Sequence, residues 1–129
     1  MKKITGYLID VQNGTAGPVT IDNSLEGYSQ ILNCNFIDIA SRVIGGEKRE
    51  FDIICDDEAL MNDDARLSAV DTYGNMMLFG NLFVVKFNGV DDEMSLTVDD
   101  INYVKQYVMT LGTYRHPEPY LILTCVEYE

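Results

Sequence analysis

Glycine-marked turns cut this chain into short apolar pieces, and that punctuation restricts it to a strand-rich fold. Asn13-Gly14, Gly45-Gly46, Gly74, Gly80-Asn81 and Asn88-Gly89 each separate runs of apolar residues, where the freedom of glycine at positive φ favours turns. The segments ITGYLIDV (4–11) and PVTID (18–22) read as strands around Asn13-Gly14. NFIDIASRVI (35–44) and REFDIICDD (49–57) read as a hairpin around Gly45-Gly46. MMLFGNLFVVKF (76–87), the most apolar segment, reads as a central strand or a hairpin bent at Gly80-Asn81, and YLILTCVEY (120–128) as a last strand. The stretch from Glu58 to Gly74 is polar, with only short apolar pieces.

Two segments carry helical spacing instead. Asn23-x-x-Glu26 reads as a capping-box variant, with Leu25, Tyr28, Ile31 and Leu32 following on one face. Thr97 caps a second helix, with Asp99 and Asp100 in the first turn, where they complement the helix dipole. Ile101, Val104, Val108 and Leu111 continue its apolar face until Gly112 ends it. Five or six strands with two helices, clustered rather than alternating, predict an α+β fold of one domain with a mainly antiparallel sheet. With 129 residues, 47% of them hydrophobic, the chain can fill one core.

Charge excludes several function classes. The chain has 9 Lys and Arg against 21 Asp and Glu, a net charge of −12. No basic run exceeds two residues, which argues against direct contact with nucleic acid or anionic membranes. No apolar stretch approaches the ~18–20 residues that span a bilayer, and MKKITGYLID lacks the apolar core of a signal peptide. A cytoplasmic protein is expected. Cys34, Cys55 and Cys125 are odd in number, lack C-x-x-C spacing and lie in apolar runs, as buried inert thiols do.

The negative charge is concentrated. Residues 51–100 hold 12 acids and 2 bases, net −10, whereas residues 1–50 and 101–129 are each at −1. Asp56, Asp57, Glu58, Asp63 and Asp64 form one cluster and Asp91, Asp92 and Glu93 another. The plain reading is a solvated face. The sharper one is an anionic surface for a basic partner, because same-face strand residues stand ~6.6–6.8 Å apart, about two phosphate steps of one DNA strand. The eight clustered residues are the candidate partner-binding site. Asp99 and Asp100 are weaker candidates because helix capping accounts for them.

Other chemistries find little support. Neither cluster matches the twelve-residue calcium loop, and the single His116 has no neighbouring zinc ligands, so no metal and no cofactor is expected. No nucleophile elbow, phosphate loop or dinucleotide fingerprint occurs, which points away from an enzyme. Tyr114, Arg115 and His116 share the segment TYRHPEP (113–119), which reads as a connector.

The order IDNSLEGYSQIL (21–32), FDIICDDEALMND (51–63), LSAVD (67–71), MLFGNLFVVKF (77–87) and MSLTVDDI (94–101) resembles a family of short proteins of phages, plasmids and conjugative elements whose function is unknown. The resemblance covers about residues 4–108 and leaves 110–129 as a C-terminal extension. It implies an accessory protein of a mobile element and carries no catalytic residue. Such elements must survive host nucleases, whose working surfaces are basic channels. By analogy of size and charge with anti-restriction and anti-CRISPR proteins, the expectation is a non-enzymatic inhibitor of an RNA-guided or restriction nuclease. Two alternatives stand beside it: a small-molecule binding protein with a pocket lined by Tyr and Phe, and a regulatory subunit of the element's own transfer machinery. Apolar strand edges also leave a symmetric homodimer open.

Overall fold

A computed structural model describes residues 2–61, 65–87, 93–112, 114 and 117–129. In chain order the elements are β1 (Lys3–Asp10), β2 (Thr15–Asp22), α1 (Leu25–Leu32), β3 (Ile37–Ile44), β4 (Arg49–Asp56), a 3-10 turn (Ala59–Met61), β5 (Leu67–Val70) and β6 (Met76–Phe79). They continue with β7 (Leu82–Phe87), β8 (Glu93–Met94), α2 (Val98–Lys105), β9 (Val108–Leu111), β10 (Tyr120–Leu123) and β11 (Val126–Tyr128). Among the described residues these build a seven-stranded sheet in the order β11-β3-β4-β7-β1-β2, with β8 on the end of β7. A second sheet of four strands runs β6-β5-β10-β9. All pairings are antiparallel except the parallel contact of β10 with β5, where Leu123 faces Ala69.

The α+β class stands, but the expected single sheet of five to six strands does not. MMLFGNLFVVKF is neither one strand nor a hairpin. Gly80, at φ +80°, separates β6 in the smaller sheet from β7 in the larger. YLILTCVEY divides in the same way at Cys125, φ +57°, into β10 and β11 of different sheets. Single residues in the left-handed region thus send adjoining apolar runs to different layers. The polar stretch before Gly74 conceals β5, whose Ser68 and Ala69 are fully buried.

Both helices are eight residues long. Ser24, not Asn23, caps α1: its Oγ accepts from Gly27 N at 3.0 Å, while Asn23 Oδ1 accepts the Tyr28 hydroxyl. Leu25 is exposed rather than part of the apolar face; Tyr28 and Leu32 are buried. The capping box of α2 is present as expected, with Thr97 and Asp100 bonded reciprocally. However, α2 ends at Lys105, and Val108 and Leu111 belong to β9. Tyr107, Val108 and Thr110 are aromatic or β-branched and favour strand. Tyr107 O accepts both Thr124 N and Thr124 Oγ1 at 2.7 Å, which draws this chain against β10.

Alternation along the central strands sorts the core into two layers. Tyr7, Ile9, Phe51, Ile53, Leu82 and Val84 face β5, β10 and α2, meeting Ala69, Leu123, Tyr103 and Val104. Ile4, Ile54, Phe83 and Val85 face the other way, against Tyr28 and Leu32 of α1. Residues 120–128 therefore do more than extend the chain: Tyr120, Ile122, Leu123 and Val126 belong to the same buried cluster as β1 and β7.

The β3–β4 turn is pinned from α2 and from the turn that follows it. Tyr103 Oη donates to Ile44 O at 2.6 Å and accepts from Glu47 N at 3.1 Å, and Tyr107 Oη accepts from Gly46 N at 3.0 Å. At Gly45, φ is +77°, and a Cβ would stand 2.4 Å from both tyrosine side chains, so only glycine fits. Val104, between the two tyrosines, is 0% exposed. Val104→Asp buries an unpaired charge at a cost of several kcal/mol, comparable with a total stability of ~5–15 kcal/mol. The variant is expected to aggregate or to show no cooperative melting transition by circular dichroism; a wild-type melting curve would contradict the assignment of this helix face.

Candidate functional site

The first acidic cluster begins where β4 stops. Asp56, its last residue, is half-buried, and Oδ1 accepts from Glu58 N at 2.9 Å. Asp57 N donates to Phe36 O at 3.0 Å and Met61 N to Glu58 O at 3.0 Å. Asp56 is thus a turn-forming carboxylate, whereas Asp57 and Glu58 are exposed. Glu93 is half-buried in β8, opposite Phe87. Asp63, Asp64, Asp91 and Asp92 lie outside the described residues.

The fold separates the described members of the two clusters, Asp56–Glu58 and Glu93. Cys55 pairs with Leu82 at the start of β7, while Glu93 pairs with Phe87 at its end. Five residue steps of strand separate these positions, about 17 Å at ~3.4 Å each. That exceeds the ~8 Å screening length at physiological ionic strength. Asp56–Glu58 and Glu93 therefore act on solvent as separate charges rather than as one array.

Asp99 and Asp100 are engaged internally. Arg49 Nη1 meets Asp99 Oδ2 at 3.0 Å and Asp100 Oδ1 at 3.6 Å, with its guanidinium 4.1 Å from the centre of the Tyr103 ring. Lys86 Nζ lies 3.1 Å from Asp100 Oδ2. Arg49, Lys86, Asp99 and Asp100 line an open cleft of about 650 Å³. Its Arg49 and Lys86 already hold carboxylates, while Lys48, on the same cleft, is exposed. The other base of the acidic stretch, Arg66, donates to Val11 O at 3.1 Å and lies over the Tyr120 ring. Both bases of residues 51–100 are thus committed inside the fold.

A second cleft of about 580 Å³ is lined by Gly45, Lys48, Thr72, Cys125, Glu127 and Tyr128, among others. Glu127 Oε1 accepts from Thr72 N at 3.0 Å and from its hydroxyl at 2.6 Å, tying β11 to the loop after β5. Among the described residues, no three His, Cys, Asp or Glu side chains are grouped to hold a metal ion. Of the cysteines only Cys55 is buried; Cys34 and Cys125 are half-buried, contrary to expectation. Burial, with Asp38 nearby, pushes the Cys55 thiol up to about 12, so it remains protonated at neutral pH. Tyr114 is fully exposed, and Arg115 and His116 lie outside the described residues.

The Asp100 carboxyl is lowered. Burial pushes it upward, but hydrogen bonds from Thr97 N and Oγ1 and the Lys86 ammonium outweigh that effect. A carboxyl lowered on folding stabilises the fold above its ordinary value of 3.8 and loses that contribution as pH falls through the lowered value. Asp100→Asn should lower Tm at neutral pH and flatten its fall on acidification below about pH 4. An acid limb identical to that of the wild type would remove Asp100 from this role.

Among the described residues, no helix is long and apolar enough to cross a membrane. No curated protein and no solved structure matches the chain significantly. The family described as Domain of unknown function (DUF3846) matches residues 4–109, from β1 into β9. The protein belongs to that family.

Proposed function

We propose that this protein is a non-enzymatic binding protein that offers the acids of residues 51–100 to a basic protein partner. The partner we propose is a host defence nuclease, RNA-guided or restriction, whose nucleic-acid channel the protein occupies on behalf of a mobile element. One observation carries the reading: the stretch has 12 acids and 2 bases, and both bases are spent on internal contacts, Arg66 with Val11 and Lys86 with Asp100. The exposed acids Asp57 and Glu58 meet solvent with no basic residue between positions 49 and 66. Such a surface attracts a cationic channel and accelerates encounter.

A second reading, small-molecule sequestration, is favoured by the 580 Å³ cleft beside Tyr128, which falls within the ~300–1,000 Å³ of ligand sites. A thermal-shift screen against nucleotides would support it through a raised Tm.

The inhibitor reading is tested by adding the purified protein to DNA cleavage by RNA-guided and restriction nucleases. Inhibition should weaken as salt rises. Because Asp56–Glu58 and Glu93 lie apart, the clusters are neutralised separately, as Asp57→Asn, Glu58→Gln, Asp63→Asn and as Asp91→Asn, Asp92→Asn, Glu93→Gln. Glu26→Gln, Glu118→Gln, Glu129→Gln is the charge-matched control, at three exposed positions. Glu127 is unsuitable because it holds Thr72. At least one cluster variant should lose about tenfold in potency, a difference of ~1.4 kcal/mol, with the control within about twofold. Equal small losses, or no inhibition of either nuclease type, would reduce the acidic stretch to a solvated face.

A further inference from the structure

Three large apolar side chains are displayed where β4 runs into the 3-10 turn. Phe36 is 62% exposed, Leu60 71% and Met61 78%. The backbone brings their segments together: Asp57 N bonds to Phe36 O, and Met61 N to Glu58 O. The geometry of the turn forces this display. Ala59 is its buried residue, seated against Gly80, where an added Cβ would stand 3.1 Å from the Ala59 Cβ. With Ala59 turned inward, Leu60 and Met61 project outward. Each forgoes the stabilisation that full burial of such a side chain contributes.

Single exposed apolar residues are ordinary, but a group with a polar rim marks an interaction site. Here the rim is acidic. Asp57 and Glu58 are exposed between Phe36 and Leu60, and the sequence has no Lys or Arg from 4 to 41 or from 50 to 65. We propose that this end of the sheet docks a basic protein segment, which sets an apolar side chain against Phe36, Leu60 and Met61 while its Lys or Arg residues meet Asp57 and Glu58. The proposal rests on the acidic reading above and deepens it. Apolar burial would supply affinity that salt does not screen, and the acids would govern encounter and partner choice.

Two labelled synthetic peptides of equal positive charge test it, one alternating Lys with Leu and the other Lys with Ser. Each is titrated with the full-length protein by fluorescence anisotropy. The Lys-Leu peptide should bind at least about tenfold more tightly, and this preference should persist as salt is raised. Leu60→Ser with Met61→Ser should abolish the preference, and Phe36→Ser alone should reduce it, with melting curves unchanged because all three side chains are exposed. Asp57→Asn with Glu58→Gln should weaken both peptides. A preference that survives Leu60→Ser with Met61→Ser, or no preference at all, overturns the docking surface. If both peptides still bind and still depend on Asp57 and Glu58, the acidic reading stands without it. If neither peptide binds, the docking surface is overturned and the nuclease assay alone decides the acidic reading.

Discussion

β7 is bonded on both sides and buried on both faces, and the remainder of the structure is arranged around it. Tyr7, Leu8 and Ile9 of β1 pair with it on one edge, and Asp52 to Cys55 of β4 on the other. Leu82, Phe83, Val84 and Val85 are all 0% exposed. A strand buried on both faces reads as a continuous apolar run, which is why residues 82–85 show no alternation. Each face then requires a cover. One receives α1; the other receives α2 and the smaller sheet.

That demand explains the crossings between sheets. Chain that leaves β6 must enter β7, and chain that leaves β10 must enter β11, within two residues. Positive φ at Gly80 and Cys125 makes both changes of direction. Tyr103 of α2 and Tyr107, in the turn after it, fasten the remaining free corner, since both hold the backbone of the β3–β4 turn. Arg49, stacked over Tyr103, then joins this corner to Asp99 and Asp100.

The same scaffold decides which of the described acids face solvent. Asp100 is withdrawn into a capping box and an ion pair with Lys86, and Asp56 into its own turn. Asp57 and Glu58 remain outward, beside apolar side chains that the 3-10 turn holds in solvent. Charge density along the chain is therefore a poor guide to charge density on the surface. Carboxylates adjacent in sequence are sorted by whether a backbone N–H or a cation lies within reach.

Some features follow from sequence because their causes are local. The β3–β4 hairpin, the Thr97 cap and the mainly antiparallel α+β class depend on turn residues, a hydroxyl three residues before a carboxylate, and apolar spacing. The acidic excess of residues 51–100 is likewise a matter of composition. Tertiary structure decided what depends on distant partners. Val108 and Leu111 fit a helix by spacing, but Thr124 draws the chain at Tyr107 toward β10. The apolar runs around Gly80 and Cys125 look continuous until each half is claimed by a different sheet. Asp56 and Glu93 share one acidic stretch, yet strand register sets them at opposite ends of β7. Spacing along a chain reports which residues can share a face; only the pairing of remote strands determines where that face lies and what stands beside it.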